Sequence, residues 1–252
     1  MTRGNVSVTP FREGRFSGVC LGVPPSFILE ETARFDAGDI HLCKQGSKLT
    51  AALTDACFVK NYFYASLLSR FRHLFRRSRA KSCFYTALAI RCAGIETPLP
   101  LGYFRECRGL LPVRDVLFTE PLPGGTRFMT EFFLHDAGEG VRLTAAAAAK
   151  LHACGIEHGD LSLRNIYLDP ENRTGVIDLD GCRRHRPPLG RKARLREMAR
   201  LISSAAKIRP DMGTPKFRKL FLDAYRAECG LDLDCPALDA RIDTLLSHRR
   251  RP

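Results

Sequence analysis

No stretch of this 252-residue sequence approaches the ~20 consecutive apolar residues that a bilayer-spanning helix needs. The ten cysteines contain no C-x-x-C pair, and their spacing is too irregular for a small disulfide scaffold. The first residues, Met1 to Gly22, hold no apolar core of signal-peptide length. Export is therefore not expected, and free thiols in a reducing cytoplasm are. No internal repeat is present, and no RRM, KH or OB signature accompanies the basic residues, so no nucleic acid is expected as partner. Acidic residues are missing altogether from Leu67 to Ile95.

What is present is an ordinary globular composition with an unusual charge. Apolar residues make up 44% and charged residues 27%, which excludes a disordered chain. The formal charge of +13 points to an anionic partner: nucleic acid, an anionic membrane surface, a phosphorylated substrate or an acidic protein. Along the chain, the first 35 or so residues, with Pro24-Pro25 and several glycines, read as an irregular extension. Ile40 to Lys60 reads as a three-stranded antiparallel meander with turn signals at Gly46-Ser47 and Thr54-Asp55. Leu67 to Cys92 reads as one helix ended by Gly94, and Thr97 to Phe104 and Val116 to Glu120 as strands. After the break at Pro121-Leu122-Pro123-Gly124-Gly125 the pattern becomes helical. Thr144 is placed as the cap of an alanine run to Cys154. Ile166 to Leu168 and Val176 to Leu179 are short strands joined by the turn at 169–173, and helices follow at about 193–208, 215–229 and 236–247. The expected fold class is α+β, in two lobes with an active site between them. Residues 1–120 are expected to form an N-terminal extension and a sheet-rich lobe, and 121–252 a helical lobe.

The chemistry lies in His158-Gly159-Asp160-Leu161-Ser162-Leu163-Arg164-Asn165 and in Ile177-Asp178-Leu179-Asp180. Phosphoryl transfer asks a protein to position groups and neutralise charge: a carboxylate at the attacking hydroxyl, and hard oxygen ligands for Mg²⁺ between the phosphates. A loop carrying Asp160 and, five residues on, Asn165 aims both into one site, and the hairpin that follows returns Asp178 beside them. Any one of these residues alone is an ordinary turn or cap. The order H-x-D-x4-N, hairpin, Asp resembles the catalytic core of the protein-kinase-like fold. That resemblance implies Asp160 as catalytic base, Asn165 and Asp178 as metal ligands, and ATP with Mg²⁺ as cofactors. It makes Lys60, ending the third strand of the meander, the catalytic lysine on the α/β-phosphates. Gly46-Ser47 falls where the phosphate-covering loop is expected, although no G-x-G-x-x-G is present. Glu120-Pro121-Leu122 becomes the hinge whose backbone, at Glu120 and Leu122, meets the adenine. His158 reads as a structural brace of the loop, and a zinc site built on His152, Cys154 and His158 is discounted because it straddles a helix end and this loop.

Gly159 stands where regulated protein kinases carry an arginine, no A-P-E follows, and only about a dozen residues separate Asp180 from the next helix. A small or glycan hydroxyl is thus the expected acceptor. From Phe58 to Arg186, about half the chain, the sequence resembles the bacterial lipopolysaccharide-core sugar kinases, the Kdo and heptose kinase family. The matching pieces are Val59-Lys60-Asn61-Tyr62, the basic helix Arg70 to Lys81, Gly94-Ile95-Glu96-Thr97-Pro98 with Pro100, Thr119-Glu120 with Pro123-Gly124, 158–165, and Ile177 to Arg183. The resemblance implies ATP-dependent phosphorylation of an inner-core sugar hydroxyl, on an anionic glycolipid acceptor, with the protein peripheral on the cytoplasmic face of the inner membrane. Ile177-Asp178-Leu179-Asp180 is closer to the Kdo branch. A basic amphipathic helix at 67–81 suits an anionic membrane, or equally a core helix with a solvated face. The cluster Arg183, Arg184, His185, Arg186, Arg191, Lys192, Arg194 and Arg196 would line the acceptor side, with Arg183, Arg184 and Arg186 binding the acceptor. One departure stands out: kinases pair the strand lysine with a helix glutamate, and the helix here has none. Another small-molecule kinase of the antibiotic-phosphotransferase kind, or a non-catalytic kinase-fold binding protein, are the alternatives.

Overall fold

The structure, a computed structural model, describes residues 7–231, 233 and 235–247. The chain divides into two compact units: the described residues up to Leu88 with Pro98–Leu122, and Ala89–Thr97 with the described residues from Pro123 onward.

The first unit is built on β1 (Val8–Glu13), β2 (Phe16–Leu21), β3 (His41–Gln45), β4 (Leu49–Leu53), β5 (Phe58–Phe63), β6 (Pro100–Arg108) and β7 (Leu111–Thr119). They form one antiparallel sheet in the order β1-β2-β6-β7-β5-β4-β3. Helix α1 (Pro25–Ala37) sets Ile28 and Phe35 into a core with Val59, Val116, Phe104 and Phe118. Side chains alternate across a strand, so Lys60 and Tyr62 face the other side. There Tyr62 Oη lies 3.9 Å from Cys83 Sγ of α3 (Arg79–Cys92), and Phe84 of α3 meets Tyr103 edge-on.

The expected meander at 40–60 is observed as β3-β4-β5. The irregular N-terminal extension is not: these residues form β1, β2 and α1. Pro25 occupies the first turn of α1, where its missing N–H costs nothing. Gly18 is a strand residue pressed against β6, since a Cβ there would lie 2.0 Å from the Tyr103 carbonyl oxygen. The helix expected over 67–92 is two, α2 (Leu67–Leu74) and α3. Ser66 Oγ accepts the Ser69 N–H and Ser78 Oγ the Lys81 N–H, each at 3.1 Å, so each helix has its own serine cap. The hairpin β6–β7 is longer than expected. Arg114 and Asp115 interrupt the apolar pattern, yet both are buried, Arg114 on Glu106 and Asp36, Asp115 on Arg105 and Tyr64.

The second unit is helical: α4 (Met129–His135), α5 (Ala137–Ala153), α6 (Arg191–Ile208), α7 (Pro215–Cys229) and α8 (Cys235–Ser247). Helix α5 packs against α7 through its buried alanines, and Leu151, Met198, Leu201, Phe221 and Tyr225 belong to one core. Two small sheets carry the loops: β8 (Arg127–Phe128), β10 (Ile166–Leu168) and β11 (Thr174–Val176) in the order β11-β10-β8, and β9 (Ile156–Glu157) with β12 (Arg183–Arg184). Thr144 is no cap. Asp136 caps α5 by accepting the Glu139 N–H at 3.0 Å, and the Thr144 hydroxyl donates within the helix to the Gly140 carbonyl at 2.8 Å. The strand expected over 176–179 ends at Val176, because Asp178 takes left-handed angles (φ 59°, ψ 62°) that break a ladder. No described helix is long and apolar enough to cross a membrane.

Candidate active site

Among the sequence-derived site residues, Lys60, Gly46, Ser47, Glu120 and Leu122 belong to the first unit. Lys60 sits mid-strand in β5, opposite Ala51 of β4 and Leu117 of β7. Gly46 and Ser47 form the β3–β4 turn. Glu120 follows β7, its N–H donating to the Leu99 carbonyl at 2.8 Å, with Leu122 half-buried beyond it. No carboxylate lies in α2 or α3, as their sequences require.

The second unit gathers Asp160, Asn165 and Asp178. The hairpin β10–β11 brings the chain back so that the Ile177 N–H donates to the Asn165 carbonyl at 2.9 Å, leaving Asp178 next to it. The Asn165 side-chain nitrogen donates to the Asp160 carbonyl at 2.8 Å and reaches its carboxylate at 3.3 Å, which directs the amide oxygen elsewhere. His158 is fully buried with Nε2 at 3.0 Å from the Ile177 carbonyl, so it braces the loop against the Asp178 segment, as expected of it. Burial lowers its pKa and keeps the ring neutral.

Gly159 has its own cause. Its φ is 82°, and a Cβ there would lie 2.4 Å from the Gly181 carbonyl oxygen. Any side chain would push the Asp160 loop away from the Asp178 segment, so the residue type follows from that close approach.

The helix expected at about 193–208 is observed as α6, but sequence reasoning missed that it holds this loop. Glu197, Arg200 and Ser204 recur at helical spacing on one side of α6. The buried Glu197 carboxylate accepts the N–H of His158 at 2.6 Å and of Gly159 at 2.8 Å. Arg200 reaches the Asp160 carboxylate at 3.8 Å, and Ser204 Oγ accepts the Leu163 N–H at 3.0 Å. Burial by itself would raise the Glu197 pKa; the nearby His152 ring and the hydrogen bond from the His158 backbone outweigh it and hold the carboxyl below its ordinary value. His152, 3.6 Å away, is kept neutral by burial, which outweighs the pull of that carboxylate. The E-x2-R-x3-S spacing in a helix soon after the metal-type Asp was a legible signal.

Asp160 itself is open, its side chain 41% exposed, and Arg164 donates to it at 3.0 Å. The basic cluster after Asp178 is less uniform than the sequence implied. Arg194 is a core residue that donates to the Leu189 carbonyl and to Tyr225 Oη. Arg196 and His185 both bind Glu157, at 2.7 and 2.9 Å. Arg183, Arg184 and Arg186 remain exposed. Arg183 and Arg184 are adjacent in β12, so their side chains point to opposite faces.

A cation has a suitable donor set here, since Asn165 and Asp178 offer an amide oxygen and a carboxylate, the hard oxygens Mg²⁺ prefers.

Residues 64–222 match the model of the lipopolysaccharide kinase (Kdo/WaaP) family. The 3-deoxy-D-manno-octulosonic acid kinase of Vibrio vulnificus (strain CMCP6) is 27% identical over 106 residues, which are 42% of this chain and 44% of that protein. The chain thus spans less than half the length of that relative. The protein of the same name from Stenotrophomonas maltophilia (strain R551-3) is 26% identical over 238 residues, 88% of this chain and 94% of that one. Among solved structures, WaaP in complex with acyl carrier protein matches with a TM-score of 0.59 at 17% identity, covering 90% of this chain and 94% of that one. WbdD matches with a TM-score of 0.52 at 14% identity, over 82% and 50%. These likenesses show the α+β protein-kinase-like fold, sheet-rich in the N-terminal part and helical in the C-terminal part.

Proposed function

The chain belongs to the lipopolysaccharide kinase (Kdo/WaaP) family, and from that premise we propose that it transfers the γ-phosphoryl group of ATP to a hydroxyl of a Kdo sugar in the lipopolysaccharide inner core. Kdo rather than heptose is favoured by the curated relatives, which carry the Kdo kinase name, and by Ile177-Asp178-Leu179-Asp180. The observation that carries the reading is the 158–165 loop, in which an open Asp160 and a fixed Asn165 are tied to α6 and to the Asp178 segment.

In this reading Asp160 accepts the hydrogen bond of the acceptor hydroxyl and takes up its proton. The hydroxyl oxygen forms the new bond to the γ-phosphorus as the bond to the ADP oxygen breaks. Asn165 and Asp178 would hold Mg²⁺, which supplies neutralisation of phosphate charge when bound. Lys60 serves the α/β-phosphates, with the β3–β4 turn at Gly46 and Ser47 over them and the backbone of Glu120 and Leu122 at the adenine. Arg183, Arg184 and Arg186 are the arginines proposed for the acceptor's anionic groups, with Arg183 and Arg184 on opposite faces of β12. The protein would work from the cytoplasmic side of the inner membrane. An acidic protein partner is supported by the +13 charge and by the carrier protein found with WaaP.

The test is ATP turnover with purified inner-core glycolipids of defined truncation. Phosphate should appear on acceptors that end in Kdo. Transfer only to heptose-bearing acceptors would move the chain to the heptose branch, and transfer to none would overturn the reading.

A further inference from the structure

Helix α2 presents its apolar side to solvent. At 100° per residue, Leu67, Leu68, Phe71, Leu74 and the adjoining Phe75 fall within an arc of roughly 120°. All five are exposed, Leu67 by 71% and Phe75 by 78%, and no residue of the helix is buried. They account for five of the eleven exposed large hydrophobic residues described, which makes this a patch rather than scatter.

The side that meets the protein is polar. His73, on the far side of the wheel, stacks on Tyr64 with ring centroids 4.0 Å apart, and its carbonyl accepts from Arg105. Arg70 Nε donates to the Tyr64 carbonyl at 2.9 Å. Tyr64 and Arg105 are in turn held by the buried Asp115, at 2.6 and 2.7 Å. Turning the apolar arc inward would break the His73 stack, the His73–Arg105 bond and the Arg70–Tyr64 bond, so its exposure is built into the mount. Arg70 and Arg72 border the arc on its two sides, Arg76, Arg77 and Arg79 follow, and no carboxylate occurs from Ala56 to Ile95.

We propose that α2 is an interfacial helix that lies in the surface of an anionic bilayer, with Leu67, Leu68, Phe71 and Phe75 in the headgroup–acyl boundary. The arginines reach lipid phosphates on both sides of the strip. A flat surface, apolar beneath and anionic alongside, complements an apolar strip bordered by cations on both edges. The proposal deepens the kinase reading, on which the acceptor is itself a membrane glycolipid, and assigns α2 to membrane contact rather than to the chemistry.

The chain has no tryptophan, so one introduced residue reports alone. The probes are Phe71→Trp and, as control, Leu134→Trp in α4, a site 60% exposed. Vesicles of phosphatidylethanolamine with phosphatidylglycerol, containing neither acceptor nor ATP, should shift the Phe71→Trp emission to the blue and leave Leu134→Trp unchanged. Neutral phosphatidylcholine vesicles and added salt should weaken the shift. Phe71→Ser with Phe75→Ser should lower vesicle partitioning by ~10-fold or more with the circular dichroism unchanged. The proposal is overturned by no shift at Phe71→Trp or by an equal shift at Leu134→Trp. An emission already blue in buffer with a dimer by sedimentation would also overturn it, marking the strip as a contact between copies. Vesicle binding without turnover on any core sugar sustains this proposal and removes the kinase reading. Turnover on a soluble core sugar with no vesicle binding does the reverse.

Discussion

The 158–165 loop of the second unit and the β3–β5 region of the first, each proposed to serve phosphoryl transfer, are built differently. In the loop, backbone N–H groups at His158, Gly159 and Leu163 end on side chains of α6, and Asn165 closes the ring onto Asp160. Around Lys60 the backbone frame is a sheet ladder, with Ala51 of β4 and Leu117 of β7 paired opposite it. A proton acceptor must be held to a fraction of an ångström, and a rigid polar scaffold does that. A strand position is fixed instead by the backbone bonds of the ladder on both of its sides.

The largest effect that bears on this contrast is at Asp160. Asp160→Ala should cut turnover by on the order of 10²-fold or more while thermal unfolding and nucleotide binding stay near those of the native chain. Native turnover in that variant would remove Asp160 from its role. Lys60→Ala comes next, with an expected rise in the KM for ATP of about 10-fold and a lower kcat, read by steady-state kinetics. Unchanged kinetics would show that this sheet position does not touch the phosphates.

Glu197→Gln probes the scaffold. Gln keeps the size but loses the charge and one of two acceptor oxygens, so about 2–3 kcal/mol of unfolding free energy should be lost in urea titrations. At temperatures where the variant is folded, kcat should fall several-fold with the KM for ATP unchanged, a split that general destabilisation would not give. Because Arg183 and Arg184 leave opposite faces of β12, reversal of one of them to Glu should lower kcat/KM for a soluble, delipidated core sugar by roughly 3- to 10-fold, less at high salt, and reversal of the other by less. Equal effects of the two would dissolve the distinction.

The smallest effect is on pH dependence. The pKa values of His152 and His158 are lowered in the fold, chiefly by burial, so the unfolded chain binds protons first, and stability declines as pH falls below about 6.5. Glu197 is lowered as well. Its contribution is complete above the ordinary glutamate value of 4.5 and is lost as pH falls through the lower folded value. Stability measured from pH 8 to 4 should therefore slope downward toward acid, and Glu197→Gln should flatten only the most acidic part.

Much of this was legible in the residues. The H-x-D-x4-N spacing with Asp178 identified the loop and hairpin, and the turn signals located β3, β4 and β5. The N-terminal hairpin and α1 were hidden because Pro25 and Gly18 look like breakers when their use depends on what lies beside them. The start of β7 was hidden because Arg114 and Asp115 are buried as ion pairs, which a polarity pattern takes for a loop. Arg194 looked like one more surface cation and is a core residue bonded to Tyr225.

The sequence by itself determined the chemistry the chain can carry, the α+β class and its family, because residue type and spacing limit which groups meet in one loop. The tertiary structure alone decided which charges are available. Burial and long-range pairing withdrew Arg194, Arg196 and His185, committed Glu197 to the loop, and left the apolar side of α2 outward. Those outcomes depend on distant partners, from Asp115 under Tyr64 to α6 under His158, and no local pattern contains them.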